Sequence, residues 1–186
     1  MTLHIKYMVS LRCKMVVKEV FNQLKLHYET VNLGEVDLRE DISEQERANI
    51  KRLLLASGLE LLDDRRAILI ERIKNVIIQM VHHENDLPKV KFSVYLSEKL
   101  HYDYTYLANI FSETQGTTIE QFIILHKIEK VKELIMYGEL NLTEIAWKLH
   151  YSGVAHLSNQ FKKVTGLTPT YFKSLKKKRL SLLEDL

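Results

Sequence analysis

The chain predicts a small α+β domain followed by an all-α domain in which one helix-turn-helix unit occurs twice. Three observations carry this. A period of two in the apolar residues marks strands before about residue 62, and helical spacing replaces it afterwards. Only two prolines and six glycines occur in 186 residues, which favours helix in the second part. Finally, Lys99-Leu100-His101-Tyr102 recurs letter for letter at Lys148-Leu149-His150-Tyr151.

The N-terminal elements follow in order. Leu3, Ile5, Tyr7 and Val9 alternate with polar or small residues and predict a strand. Val16, Val17, Val20, Phe21 and Leu24 then fall at helical spacing. Tyr28 to Leu33 and Glu35 to Leu38 predict two short strands around Gly34. Ser43 with Glu46 forms a capping box that opens a helix carrying Ile50, Leu53 and Leu54, and Gly58 is its stop. Leu59 to Leu62 closes as a strand. The order βαββαβ is that of a ferredoxin-like domain, predicted over 1–63, with a short linker at Asp63-Asp64-Arg65.

The helical domain is predicted over 64–178, with a tail at 179–186. Ile68, Ile70, Ile73, Ile77, Met80 and Val81 form one stripe, and Asn85-Asp86-Leu87-Pro88 ends that helix. A linker helix runs from Thr118, paired with Gln121 as a cap, to Tyr137, and Gly138 stops it. Asn141 with Glu144 opens the second copy.

The two copies align with an offset of 49 residues up to Tyr102/Tyr151 and 50 from Leu107/Leu157, so the extra residue falls in the turn. Leu100/Leu149, Leu107/Leu157 and Phe111/Phe161 are apolar and predict the core of each unit; Phe122 meets Phe172. Gly116/Gly166 fits a helix end needing positive φ, and Thr118/Thr168 caps the next helix, with Pro169 in its first turn. The second helices are expected at about 103–114 and 154–164. Their outward polar or small residues are Thr105, Ala108 and Asn109, and Val154, Ala155, His156, Ser158 and Asn159. Asparagine can pair bidentately with adenine, and short apolar groups can meet the thymine methyl.

Charge points the same way. Residues 1–62 hold 9 basic and 9 acidic side chains, so the whole excess of +3 lies beyond them. Lys162, Lys163, Lys173, Lys176, Lys177, Lys178 and Arg179 cluster near the end; Lys162 and Lys163 suit phosphate contact.

The stretch Leu142 to Phe172, LTEIAWKLHYSGVAHLSNQFKKVTGLTPTYF, resembles the signature of the AraC/XylS transcriptional regulators. The resemblance covers about residues 65–175. It implies a regulator of transcription whose two helix-turn-helix units, joined by a rigid helix, read successive major grooves of double-stranded DNA. The chain's lack of a signal-peptide core and of a membrane span reads as a cytoplasmic location. RNA polymerase would be a further partner. The base-reading role then falls on the eight outward residues above. This chain departs from the family by asparagine instead of a frequent arginine at Asn109 and Asn159, and by Lys127 and Val131 in the linker helix.

The segment YMVSLRCKMVVKEV resembles the loop of a heavy-metal-associated domain, with Met8, Ser10 and Cys13 on its Met-x-Cys-x-x-Cys positions. The first cysteine is missing, and one thiol with a hydroxyl suits a soft ion poorly. Met8 and Cys13 are therefore weak metal candidates, and no cofactor is expected. Dimerisation, another signal, or thiol sensing by Cys13 are the alternative uses of this domain. A metal- or thiol-responsive protein whose helices are mainly an interaction scaffold is the competing reading of the whole chain. His82 and His83 are expected on the surface. The single cysteine excludes an internal disulfide. No apolar run approaches a membrane span, and the N-terminus lacks the apolar core of a signal peptide. No paired carboxylates, nucleophile triad or phosphate loop predicts an enzyme.

Overall fold

In the computed structural model, residues 1–83, 87–88 and 90–175 are described. Asn85 and Asp86, the run Lys176 to Arg179 and the tail lie outside them. The chain divides into two compact units, Met1–Val76 with Lys99–Tyr102, and Ile77–Glu98 with the chain from Asp103 on.

In the first unit the elements are β1 (Thr2–Lys6), α1 (Leu11–Gln23), β2 (Tyr28–Asn32), β3 (Glu35–Leu38), α2 (Glu44–Ala56) and β4 (Glu60–Leu62). The strands lie in the order β2-β3-β1-β4, with every neighbouring pair antiparallel. Leu3 pairs with Val36 and Ile5 with Leu61, so one face collects apolar side chains. The inward residues of both helices, Val17, Val20 and Phe21 with Ile50 and Leu54, bury this face. The expected capping box of α2 is present, with Glu46 N–H donating to Ser43 Oγ and Ser43 N–H to Glu46.

The predicted alternation of β1 fails after Ile5. Tyr7 takes a left-handed φ of 67°, which turns the chain and reverses the alternation. Met8 is consequently buried completely, while Tyr7 and Val9 are exposed. Gly34, in the β2–β3 turn, has φ +85°, and a Cβ there would collide with the Asn75 side-chain amide.

A long helix, α3 (Arg65–Ile78), begins where Asp64 Oδ2 accepts from Ala67 N–H. It runs directly into a π-helical turn, Gln79–His83. The apolar stripe gave no sign of that turn, in which Met80 and Val81 are both buried. The expectation of surface histidines is corrected for His82. It is partly buried, with Nε2 3.2 Å from His126 Nδ1, and Lys130 donates to its carbonyl. His83 is exposed.

The remaining helices are α4 (Phe92–Leu100), α5 (Tyr104–Gln115), α6 (Ile119–Tyr137), α7 (Leu142–Lys148) and α8 (Val154–Thr165), with helical backbone again over 169–175. Their ends follow local chemistry. Gln121 N–H donates to Thr118 Oγ1, Asn141 and Glu144 form a reciprocal box, and Gly116, Gly138 and Gly166 end α5, α6 and α8 with positive φ. The repeat is repeated in three dimensions. Phe111 meets Phe122 edge-on at 5.5 Å and 63°, and Phe161 meets Phe172 at 5.6 Å and 64°. His101 and His150 take left-handed φ values of 59° and 53° in the two turns. A β-branched residue resists that conformation. His150→Val should therefore lower stability by about 1–2 kcal/mol and His150→Gly by less, measured by urea denaturation.

Candidate nucleic-acid interface

Each second helix separates an inward from an outward face. On α5, Leu107, Ile110 and Phe111 are buried; on α8, Leu157 and Phe161 are. Residues four apart stack on one side of a helix, so these apolar pairs fix what faces away. Thr105 and Asn109 are exposed and Ala108 partly so; Ala155, His156 and Asn159 are exposed, and Val154 and Ser158 partly so. Lys162 and Lys163 are exposed in the last turn of α8. Both helices lie within one residue of the ranges expected from the repeat.

The helix starts differ. Asp103 caps α5, accepting from Thr105 N–H at 2.8 Å and Tyr106 N–H at 3.4 Å. Those backbone hydrogen bonds, the Thr105 one first, hold its carboxyl below the usual range. In α8 the equivalent position is Gly153, which supplies no side-chain cap. The added turn residue, Ser152, instead places its Oγ 3.1 Å from His156 Nδ1. The His156 ring also stands edge-on to Tyr151 at 5.2 Å. His156 is therefore a held side chain, whereas Asn109 and Asn159 stand on open helix surface.

The identical tyrosines of the repeat part company. Tyr102 is 44% exposed, whereas Tyr151 is 6% exposed. Lys127, which the sequence marked only as a departure from a family pattern, is 7% exposed, with its Nζ 4.1 Å from the Tyr151 ring centre. Its position among Ile119, Ile123, Val131 and Ile135 at four-residue spacing was the available signal of burial. The exposed Trp147 on α7 was likewise not singled out.

In the N-terminal unit, Met8 belongs to the packed core. Cys13 sits in the first turn of α1, where its N–H donates to Ser10 Oγ at 3.4 Å and its Sγ lies 3.3 Å from the same oxygen. Burial pushes the thiol pKa up, but the Ser10 hydroxyl and backbone N–H groups together leave it below the usual value. Among the described residues no three His, Cys, Asp or Glu side chains gather as a metal site. No helix among them is long and apolar enough to cross a membrane.

The paired helix-turn-helix geometry, with a linker helix and two polar outward faces, defines a double helix-turn-helix domain. Residues 96–174 match the family model for a helix-turn-helix domain. Over 107 residues the chain is 25% identical to the uncharacterized HTH-type transcriptional regulator YtdP of Bacillus subtilis (strain 168). That match covers 58% of this chain and spans 14% of the relative's length. The fold is shared with the C-terminal domain of AraT, a response regulator from Geobacillus stearothermophilus (TM-score 0.50, 22% identity, 60% of this chain and 88% of that one). It is shared too with a DNA-binding transcriptional dual regulator from Escherichia coli K-12 (TM-score 0.50, 18% identity, 59% and 93%). Residues 96–174 thus match a helix-turn-helix domain both in sequence and in fold.

Proposed function

We propose that this chain is a sequence-specific transcription regulator that inserts α5 and α8 into successive major grooves on one face of double-stranded DNA. The observation behind this reading is the doubled register. Equivalent phenylalanine pairs hold the two second helices, and each turns a polar stripe outward. In such a pair, groove spacing is about 34 Å and base edges are read from the N-terminal half of each helix. Thr105, Ala108 and Asn109 read one stretch; Val154, Ala155, His156, Ser158 and Asn159 read the other. Lys162 and Lys163 hold phosphate. The stripes differ, so a single chain reads an asymmetric site.

The domain limits are 1–63, 64–178 and 179–186, and the protein works in the cytoplasm. The first domain is ferredoxin-like, related to heavy-metal-associated domains, and serves as a sensor or as the contact between two copies of the chain. RNA polymerase is a partner at promoters. With Met8 in the core and a lone Cys13, metal handling is the weaker reading. Titration with Cu(I) tests it: saturable binding lost in Cys13→Ser would favour it.

Gel shifts against the protein's own promoter region at moderate salt test the main reading. Asn159→Ala should relax preference at one base position at a cost of about 1–3 kcal/mol, whereas Lys162→Ala should weaken every site and flatten the salt dependence. Equal effects of both changes on all sequences would refute the division of roles.

A further inference from the structure

Ile119, Ile123, Lys127, Val131 and Ile135 follow one another along α6, and all five are buried. A buried ammonium normally faces a carboxylate or several acceptors, because desolvating a lone charge is costly. Among the described residues Lys127 faces aromatic rings, Tyr151 at 4.1 Å and Phe92 at 5.8 Å. Burial alone lowers its pKa, to about 8, so it remains mostly protonated at neutral pH.

The ammonium is not sealed in close packing. Lys127 lines a cavity of about 330 Å³ whose apolar wall is formed by Phe92, Ile123, Ile124 and Tyr151. Ser93 and Gln160 add hydrogen-bonding groups. Two titratable neighbours in the wall carry hydrogen bonds of their own, and Glu120, held below the usual carboxylate range first by the Tyr104 hydroxyl, keeps its negative charge on the Tyr104 side of the wall. Glu120 accepts from the Tyr104 hydroxyl, and His156 Nδ1 pairs with Ser152. The Tyr151 hydroxyl is buried without a hydrogen-bond partner among the described residues. An ammonium paired with no carboxylate among the described residues, apolar walls and a few polar groups form the composition of a small-molecule site.

We propose that this cavity binds a small organic monocarboxylate with an apolar body, roughly a dozen heavy atoms in all for a site of this size, its carboxylate on Lys127. A single ammonium balances one negative charge. A phosphate would bring nearly two against apolar walls that offer no guanidinium fork. Gln160 and His156 belong to α8, so an occupant touches the helix assigned above to base reading. That link to DNA rests on the proposed function; the binding itself does not.

Calorimetric titration of the full chain without DNA tests the site, using 4-phenylbutyrate, octanoate and 2-naphthoate beside their uncharged amides at pH 7. At least one carboxylate should bind saturably and at least tenfold more tightly than its amide. Lys127→Met should abolish that preference while circular dichroism and the thermal midpoint show a folded protein. Ile124→Trp, which fills the cavity but keeps the ammonium, should abolish binding of acid and amide alike. Absence of saturable binding by all three acids, equal affinity for acid and amide, or a preference that survives Lys127→Met overturns the proposal. Because DNA is absent from the titration, a failure of DNA recognition is a separate result.

Discussion

Phe161→Ala should destabilise the helical unit by about 3–5 kcal/mol, the range for truncating a fully buried aromatic ring. Phe161 has no exposed surface and stands edge-on to Phe172 at 5.6 Å. α8 has 12 residues, too few to be stable alone in water, so its helicity depends on the face it buries. Leu157 and Phe161 are the two fully buried residues of that face. Without the ring, α8 loses the contact that orients Asn159 and Lys162, and DNA binding should fall together with the unfolding midpoint. Asn159→Ala on the opposite side should leave stability within about 0.5 kcal/mol, as expected of an exposed change. Urea denaturation followed by circular dichroism checks both. A Phe161→Ala loss below about 1 kcal/mol would mean that the ring does not hold the helix.

Lys127→Met should instead stabilise the protein at pH 7, by about 1–3 kcal/mol. The pKa lies roughly two to three units below that of a free lysine, and each unit corresponds to about 1.4 kcal/mol. Cation–π contact with Tyr151 and Phe92 offsets part of this. The pH dependence distinguishes the cause. Below about pH 8 the side chain is charged in both folded and unfolded states, and the full penalty applies. Between about 8 and the ordinary lysine value of 10.5 the folded state has released the proton and the unfolded state still holds it. Stability of the parent chain from this group therefore rises with pH across that window. The advantage of Lys127→Met should shrink through the same window and vanish above it, read as the difference between the two proteins' urea midpoints. A pH-independent difference would point to packing rather than charge.

What was legible in the sequence was local. Ser43 with Glu46, Thr118 with Gln121 and Asn141 with Glu144 each place a helix start, because the chemistry that satisfies the free N–H groups lies within three residues. The repeat placed α5 and α8, because buried leucine and phenylalanine recur at the same spacing. What was not legible depends on neighbours remote in sequence. Alternation from Leu3 to Val9 contains no sign that Tyr7 would take positive φ and send Met8 inward. Tyr102 and Tyr151 are the same letter in the same motif, yet Tyr102 is exposed and Tyr151 is buried with Lys127 of α6 over its ring. The side chains of the proposed reading face were legible as outward residues, exposed or partly so. The hold on His156 by Ser152 and Tyr151 was not, since it comes from the one residue by which the copies differ in length.

Selection of binding sites from a random double-stranded DNA library, with the unaltered chain and with Asn109→Ala and Asn159→Ala in parallel, tests DNA reading by two unlike helices most directly. One asymmetric consensus is expected, with two determinants about 10–10.5 base pairs apart, centre to centre. Each substitution should relax a different one of them. Failure to enrich any sequence, or relaxation of the same positions by both substitutions, would contradict it.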